Sequence, residues 1–378
     1  MSQQHAVRET SIMLAFSILP DPRKARNQAY SVSEIVSIAI LAILCGADDW
    51  VEVSLWSESN LEWLHELQMC SDGVPSHDTF SRFFRFVNPQ AFERCFINWT
   101  QHIAKTIGGI IALDGKTLCN SSDTTNDVRA IHIVSAFSAE NQLVLGQLAT
   151  ELKSNEITAF PLLLAMLDIR GATITVDAGG CHRPLVKQIV EQGGDYVIGL
   201  KGNQGHLHAE AQNFFEQVVE GLPEASGCDF FVSEEKSRGR VEKREVWVCE
   251  DLEWLPQKTE WTGLRSLAAV RSTRTIKGVT STETRFYISS LSSDARKMAH
   301  AIRSHWTIEN QLHWQLDVSY AEDGCKVRKD NGAENFSVLR RATLNILKAD
   351  KKTKAGIKNR RSKAGWNRGY LLGLLGVN

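Results

Sequence analysis

Two short apolar runs of the sequence each end in an aspartate. Residues 110–113 (Ile-Ile-Ala-Leu) precede Asp114, and residues 173–176 (Thr-Ile-Thr-Val) precede Asp177. Runs of this length and composition predict buried β-strands. Asp114 and Asp177 therefore lie on neighbouring strand ends only if the first strand pairs with the strand that precedes Asp177.

The residues between these two runs predict how the sheet is built. Strand-like segments at 110–113, 130–137 and 143–148 are followed by a helix over 154–167, a strand at 173–176, a helix over 184–192 and a strand at 196–200. The order β-β-β-α-β-α-β is that of an RNase H-like sheet, in which the first and fourth strands are adjacent. Such a sheet would bring Asp114 and Asp177 together.

The whole chain then divides into five segments. We expect an α/β protein with an RNase H-like core, a mixed sheet flanked by helices, that contains a β-rich insertion and follows an all-α N-terminal domain. The predicted segments are the helical domain (1–107), the first part of the core (108–201), the insertion (202–293), a core part with a long helix over about 295–316 (294–350), and a basic tail (351–378).

Composition excludes several other classes. The eight cysteines are scattered without a CxxC pair, so neither a zinc ribbon nor a disulfide framework is indicated. The longest apolar stretch, residues 35–47, is shorter than the roughly 20 residues of a membrane-spanning helix. The first residues lack the pattern of a signal peptide, and we expect a cytoplasmic, nucleoid-associated protein.

Charge is distributed unevenly along the chain. The net charge is −1, but residues 326–368 contain 14 Lys and Arg against three acids. This basic segment, with Lys326, Arg328, Arg340 and Arg341, is typical of a surface that faces a polyanion, and a solvated basic tail is the alternative. Residues 75–85 predict a capped helix with Arg82 and Arg85, which either reads DNA or, the reading that we favour, packs through its phenylalanines.

Three carboxylates suggest a metal-dependent phosphodiester enzyme: Asp114 and Asp177 at two strand ends and Glu309 in a predicted helix. Mg²⁺ binds a few carboxylate oxygens together with water and substrate phosphates, so its site needs acids that converge. Asp114 and Asp177 are each followed by small residues that leave space beside the acid. A single aspartate at a strand end more often caps a turn.

The segment around Glu309 has an unusual helical face. Positions 306, 309, 310, 313 and 317 share one face by their spacing and join Trp306 to Glu309, Asn310, His313 and Asp317. Packing alone does not explain such a face, because amphipathic helices bury aliphatic residues. His305, Glu309 and His313 are spaced by four and offer a zinc alternative, which lacks a supporting HExxH motif.

Two further segments could contact phosphate. Lys201 and Asn203 follow a strand, where backbone amides and an ammonium group could bind phosphate, although a plain turn fits equally well. Residues 236–244, with Arg238 and Arg240, could contact a DNA backbone, but exposed hairpins are often charged as well.

With these segments in place, the chain resembles the ISAs1-family transposases of the DDE class, and especially the H-repeat-associated proteins of enteric bacteria. The resemblance spans nearly the full length. The shared motifs lie at residues 21–23, 46–47, 75–79, 114–118, 153–157, 194–196, 201–204 and 303–317.

The resemblance implies a DNA transposase with Asp114, Asp177 and Glu309 as its catalytic and metal-binding triad. It implies two Mg²⁺ or Mn²⁺ ions, with Asp114 bridging both and the other two acids each binding one. The partners would be double-stranded DNA, both element ends and target, bound by a homodimer. Water would nick the element end, and the freed 3′-OH would attack target DNA. Residues expected to contact DNA are Lys201, Asn203, Arg238, Arg240, Arg303, Asn310, His313, Lys326, Arg328, Arg340 and Arg341.

The sequence departs from the family pattern at a few positions. Cys119 replaces an arginine after the first acid, and the segment from Asp177 to His182 differs from the usual one. Around the last acid, Ile302, His305 and Leu316 replace the Tyr, Arg and Lys of the wider class. Two rivals therefore stay open, a remnant or domesticated nuclease acting in recombination or defence and a DNA-binding protein whose acidic site is unused.

Overall fold

A nine-stranded mixed sheet runs through the computed structural model of the chain. The structure describes residue 7 and residues 10–24, 28–104, 108–122, 129–150, 156–220, 227–237 and 239–377, with the backbone alone at 219–220. The sequence motif at 153–157 and the predicted contact Arg238 lie partly or wholly outside these residues. No described helix is long and apolar enough to cross a bilayer.

Helices alone occupy the described residues before the first strand. They are α1 (Ser11–Ser17), α2 (Val32–Leu44), α3 (Trp50–Ser59), α4 (Leu61–Glu66), α5 (His77–Phe86) and α6 (Pro89–Ile103). Helix α2 begins with a capping box, in which Ser31 accepts from the Glu34 amide and Glu34 accepts from the Ser31 amide. Its residues from Ile35 to Leu44 are all buried, because the helix is apolar on every side.

Helix α5 packs through its phenylalanines. Phe80, Phe83 and Phe84 are buried, and the Phe84 ring stacks on Trp50 with 4.6 Å between ring centroids. Arg85 binds Asp330 through Nε at 2.8 Å. These contacts support the packing interpretation of this helix.

The first five strands form the half of the sheet that contains the predicted acids. They are β1 (Gly109–Thr117), β2 (His132–Ser138), β3 (Leu143–Thr150), β4 (Ala172–Val176) and β5 (Asp195–Leu200). β1 pairs antiparallel with β2 and parallel with β4, β2 pairs antiparallel with β3, and β4 pairs parallel with β5. The predicted adjacency of the first and fourth strands is confirmed.

The four strands of the predicted insertion extend this same sheet. They are β6 (Asp229–Ser237), β7 (Arg240–Cys249), β8 (Ser266–Ile276) and β9 (Val279–Ser289). β9 pairs antiparallel with β5, from Val197 opposite Ser289 to Leu200 opposite Phe286. The predicted insertion is therefore hydrogen-bonded to the rest of the sheet through the last four residues of β9.

Helices cover both faces of the sheet. Helices α7 (Glu156–Leu164), α8 (Arg183–Glu191) and α9 (Gly205–Glu220) pack on one face, and α10 (Ala295–His305) packs on the other against β1, β4, β6 and β7. Side chains alternate along a strand, so Ile111 and Leu113 of β1 join the α7 side while Ile110 joins the α10 side. Asp114 consequently points toward the α10 side.

The long helix predicted over 295–316 is broken in the structure. α10 ends at His305, a π-helical turn spans Glu309–His313, and α11 (Trp314–Tyr320) follows. A π-turn contains an extra residue per turn and is frequent at functional sites. The side-chain pattern from Ala295 to Leu316 is that of a continuous α-helix, so it does not predict the end of α10 at His305 or the π-helical turn.

The last helices return to the N-terminal ones. They are α12 (Gly332–Ala349), α13 (Ile357–Trp366) and α14 (Arg368–Leu374). α12 packs against α2, α5, α6 and β3, and α13 packs on α2. The segment predicted as a basic tail (351–378) thus contains two helices, α13 and α14. Its Arg361 is buried and donates to the carbonyls of Ile43 (3.1 Å) and Ala47 (3.0 Å).

Candidate active site

The parallel pairing of β1 and β4 places two acids at one edge of the sheet. The pairing ends where Leu113 lies opposite Val176. Asp114 is the next residue after Leu113, and Asp177 is the next residue after Val176. β1 continues beyond Asp114 to Thr117 because β2 still pairs with it on the other side. Asp114 is therefore inside a strand, whereas Asp177 follows one.

Asp114 is a mostly buried acid with other acids nearby. Its Oδ1 accepts a hydrogen bond of 2.9 Å from the Gly115 amide. Burial raises the pKa of Asp114 to about 8, the Gly115 bond opposes that rise, and the negative charges of Glu309 and Asp177 add to it. A bound cation would remove the electrostatic cost of ionising this carboxyl group.

Gly115 makes room for a buried pair on the opposite face of β1. His132 lies between Thr117, with 2.9 Å from Nδ1 to Oγ1, and Glu156, with 2.6 Å from Nε2 to Oε1. A Cβ atom on Gly115 would overlap both the imidazole and the Glu156 carboxylate. The glycine is therefore required by packing directly beside Asp114.

Asp177 caps the turn that follows β4. Its Oδ1 accepts from the amides of Gly179 (2.9 Å) and Gly180 (3.2 Å), so Oδ2 takes no part in these bonds. Asn203 donates to the Ala178 carbonyl at 2.8 Å, on the same turn. Asn203, predicted to contact phosphate, thus supports the loop after Asp177.

His182, one of the departures from the family pattern, also belongs to this loop. Its Nε2 lies 3.2 Å from the Gly179 carbonyl oxygen. Cys119, the other departure, is exposed, with its sulfur 3.8 Å from the Thr117 carbonyl oxygen. His182 thus supports the turn capped by Asp177, and Cys119 follows β1.

The π-helical turn brings Glu309 and His313 to Asp114. His313 is buried, and its Nδ1 lies 3.3 Å from Glu309 Oε2 and 3.6 Å from Asp114 Oδ2. The hydrogen bond with His313 is the main reason that the pKa of Glu309 is lowered. One ligand atom from each of the three residues lies within 4.8 Å of the other two.

These donors fit a divalent cation. Two carboxylate oxygens and one imidazole nitrogen converge, and Asp114 is held in surroundings that penalise its charge. Carboxylates suit Mg²⁺ and Mn²⁺, and imidazole is an accepted additional ligand for transition metals. Asp177, the third predicted ligand, is outside the convergent group but borders the same cavity.

The cavity in front of these acids has a volume of about 450 Å³. Besides Asp114, Asp177 and Glu309 it is lined by Thr175, Lys201, His208, His305 and Trp306. His305 Nδ1 bonds Thr175 Oγ1 at 3.1 Å, and burial lowers the pKa of His305. His305 is not in the convergent group formed by the described residues, so the zinc alternative, which needs it beside Glu309 and His313, is disfavoured.

A second cavity of about 460 Å³ lies between α10 and the β6–β9 face of the sheet. It shares Glu283, Arg285, Tyr287, Ile302 and Trp306 with the first cavity. Its basic lining, which we call the arginine groove, comprises Arg240, Arg244, Arg274, Arg285, Arg296 and Arg303. Acidic partners Glu235 and Glu242 neutralise part of this charge.

Eight of the eleven predicted DNA contacts separate into three groups. Those that line the two cavities are Lys201, Arg240, Arg303 and Asn310. Lys326 is exposed, and Arg328, which is half-buried, donates to the Asn120 carbonyl at 2.8 Å. His313 and Asn203 belong to the acidic site and its supporting loop.

Arg340 and Arg341 are buried inside the protein. Arg340 donates to the Asp48 carbonyl at 3.1 Å, and Arg341 binds Glu322 at 3.0 Å with neither side chain exposed. In this structure neither guanidinium group is presented to DNA, because α12 lies between the N-terminal helices and the sheet.

Several residues of the site were not identified from the sequence. Lys116 lies two residues after Asp114 and binds Asp317 (2.8 Å) and Asp323 (2.7 Å). Alternation along β1 could have indicated it, since residues two apart share a face. Arg285 could have been found in the same way from the pattern of Glu283, Arg285 and Tyr287 on β9.

Two acids at the adjoining ends of parallel strands, a third acid on a helical turn close to the first, and a neighbouring arginine-lined groove are the arrangement expected of a metal-dependent enzyme that acts on phosphodiesters. Comparison with known families agrees with this class. Residues 106–346 match the family described as "Transposase DDE domain", and residues 13–100 match the one described as "DDE_Tnp_1-associated". The chain belongs to the DDE transposases, whose reactions are DNA strand cleavage and strand transfer.

Full-length relatives give the same result. The chain is 41% identical to the H repeat-associated putative transposase YhhI of Escherichia coli K12, over 96% of this chain and 97% of the relative. It is 42% identical to the putative protein YbfL of the same strain, with the same coverage. It is 40% identical to the putative transposase YncI of Escherichia coli O157:H7, over 96% and 93%.

Solved structures similar to this chain include a transposase bound to DNA. A piggyBac transposase synaptic complex with hairpin DNA matches 99% of this chain and 80% of its own, at 12% identity and a TM-score of 0.40.

Proposed function

We propose that this transposase uses Asp114, Glu309 and Asp177 as its metal-binding acids, with His313 as an additional ligand. The observation that supports this most directly is the convergence of Asp114, Glu309 and His313 within 4.8 Å. The strand order β3-β2-β1-β4-β5 around the acids supports an RNase H-like core for this chain. The helices before it would form the all-α N-terminal domain.

The residues would share the work as follows. Two Mg²⁺ or Mn²⁺ ions would activate the attacking oxygen and stabilise the leaving one. Asp114 would bind both ions, Glu309 and His313 would complete one set of ligands, and Asp177 would contribute to the other through Oδ2. Lys201, in the same cavity, would neutralise a phosphate beside the acids.

The arginine groove is proposed as the path of DNA away from the acids. It adjoins the acidic cavity, with which it shares five lining residues. Guanidinium groups in such a groove bind phosphates and release counterions, which makes binding depend strongly on salt. Arg240, Arg303 and Asn310 are the predicted contacts that fit this path.

The remaining proposed contacts are outside the groove. Lys326 is exposed, as are Lys351, Lys352, Lys354, Lys358 and Lys363 in the C-terminal segment. These charges would contact the backbone of flanking or target DNA. We propose that the protein acts as a homodimer on double-stranded DNA, because two element ends must be processed together, and that it works in the cytoplasm at the nucleoid.

A plasmid assay tests the metal site. Purified full-length protein is incubated with a supercoiled plasmid that contains its gene and the natural flanking DNA, in Mg²⁺ or Mn²⁺. We expect nicking at the element ends and joining of the freed 3′-OH to new DNA, both lost in Asp114→Asn. The control is Asp168→Asn, because Asp168 is exposed and pairs only locally with Arg170.

Each outcome separates the proposal from its rivals. Full cleavage by Asp114→Asn would show that the acid assignment is wrong. End cleavage without joining would favour a domesticated nuclease. Plasmid binding with neither metal binding nor cleavage would favour a DNA-binding remnant.

A further inference from the structure

Lys116 is a buried cation beside the acidic site that the proposed chemistry does not use. It lies two residues after Asp114 on β1 and points to the same side of the sheet. Its side chain is only 9% exposed, and its Nζ lies 2.8 Å from Asp317 and 2.7 Å from Asp323. Asp317 belongs to α11, and Asp323 to the single 3-10 turn Glu322–Gly324 that follows α11. A lysine this buried needs both partners to offset its loss of hydration.

The contact of Lys116 with Asp317 lies beside the contact of Asp114 with His313. Both contacts join β1 to the helical segment: Asp114 Oδ2 lies 3.6 Å from His313 Nδ1, and Lys116 Nζ lies 2.8 Å from Asp317 Oδ1. Two residues along a strand span about 6.6 Å, and four residues along a helix span about 6 Å. The distance from Asp114 to Lys116 along the strand therefore matches the distance from His313 to Asp317 along the helix, and both contacts form with the helix in the same position, or register, relative to β1.

The register matters because the segment with Glu309 is irregular. Glu309 and His313 are in a π-helical turn, and Glu309 is about half exposed. Two carboxylates repel each other when both are ionised, as metal binding requires, so other contacts must hold Glu309 close to β1. A one-residue shift of the helix would move it by about 1.5 Å and turn it by about 100°, which takes Glu309 away from Asp114.

We propose that Lys116 is a positioning residue, which fixes α11 against β1 so that Glu309 and His313 face Asp114. This inference rests on the proposed metal site. It assigns Lys116 no contact with metal or DNA. Its effect is transmitted through Asp317 and the π-helical turn. Residues that contact metal ligands without binding the metal commonly orient those ligands in this way.

Metal affinity without DNA is the readout. Mn²⁺ binding to the full-length protein is measured by electron paramagnetic resonance and by calorimetry at pH 8, for wild type, Lys116→Met and Lys116→Arg. We expect Lys116→Met to weaken Mn²⁺ binding by about 10–100-fold. Lys116→Arg should retain most of the affinity, because a guanidinium group can still pair with two carboxylates. Lys187→Met is the control, since Lys187 forms an exposed pair with Glu191.

Asp317→Asn provides a second variant that leaves the Lys116 pair with Asp323 intact. We expect a smaller loss of Mn²⁺ affinity in the same direction. Where Lys116→Met does not fold, as judged by thermal melting, the Asp317→Asn result decides. Unchanged Mn²⁺ affinity in a folded Lys116→Met, or in Asp317→Asn, overturns the inference and leaves the metal site in place.

The remaining outcomes separate the inference from the proposed function. If wild type binds no Mn²⁺, or if Asp114→Asn binds it as tightly as wild type, the proposed metal site fails and this inference fails with it. If Lys187→Met weakens binding as much as Lys116→Met, or if folded Lys116→Arg is as weak as Lys116→Met, positioning by Lys116 is refuted while the metal site stands.

Discussion

The raised pKa of Asp114 predicts that metal binding depends steeply on pH. Divalent cations bind the ionised carboxylate, so a carboxyl group that is still protonated must release its proton first. Burial raises the pKa of Asp114 to about 8. The affinity of the protein for Mn²⁺ should therefore rise from pH 6 to pH 8 and level off above that range.

The size of the effect follows from the ionised fraction. With a pKa of about 8, the carboxyl group is ionised to about 1% at pH 6, about 9% at pH 7 and about 50% at pH 8. The apparent Mn²⁺ affinity should thus increase about 50-fold over these two pH units. An aspartate with the ordinary pKa of about 3.9 is fully ionised throughout this range and would produce no change.

Isothermal titration calorimetry measures both the affinity and the proton release. Titrations at pH 6.5 in two buffers of different ionisation enthalpy should show release of about one proton per site. Asp114→Asn should bind weakly and without this steep dependence. In His313→Asn the steep dependence should persist, because it comes from the carboxyl group. An affinity that stays constant from pH 6 to pH 8 would refute the reasoning about Asp114.

Three further outcomes are expected. Removing one phosphate contact with Arg303→Gln should reduce the slope of log affinity for DNA against log salt by about 1, whereas Arg170→Gln, an exposed control, should not change it in filter binding. Arg341→Met should lower the free energy of unfolding by about 3–5 kcal/mol, because it leaves Glu322 charged and unpaired in the interior, and adding Glu322→Gln should restore much of the loss in urea titrations. Gly115→Ala should cost about 1–3 kcal/mol in the same assay, because its methyl group overlaps the pair beneath β1; a neutral result would contradict that packing.

The arrangement of the strands was accessible from the sequence because it depends on local patterns. Apolar runs that end in Asp114 and Asp177 have the length of buried strands, and one strand order makes them neighbours. Glu309 could be proposed as a site residue because an acid among aromatic residues on one helical face is hard to explain by packing, and the structure places it near Asp114. The family resemblance is confirmed by the match to the transposase DDE domain.

Other features depend on contacts between distant segments. Arg340 and Arg341 are basic residues in a basic stretch, and only the position of α12 shows that they are buried. The pairing of β9 with β5 joins the insertion to the main sheet, and no local pattern specifies which edge a strand will find. The π-helical turn at Glu309 has the side-chain pattern of an ordinary helix, so its extra residue is invisible in the sequence.

The burial of α2 has a consequence for how the protein is made. The side chains from Ile35 to Leu44 are covered in part by α12 and α13, which follow the whole catalytic sheet in the chain. On the ribosome, the side of this apolar helix that α12 and α13 cover stays exposed until almost all of the protein has been synthesised. Exposed apolar segments of this kind bind chaperones and aggregate. A copy of the gene that is interrupted before residue 332 would therefore yield a product that is removed by quality control rather than one that competes for DNA.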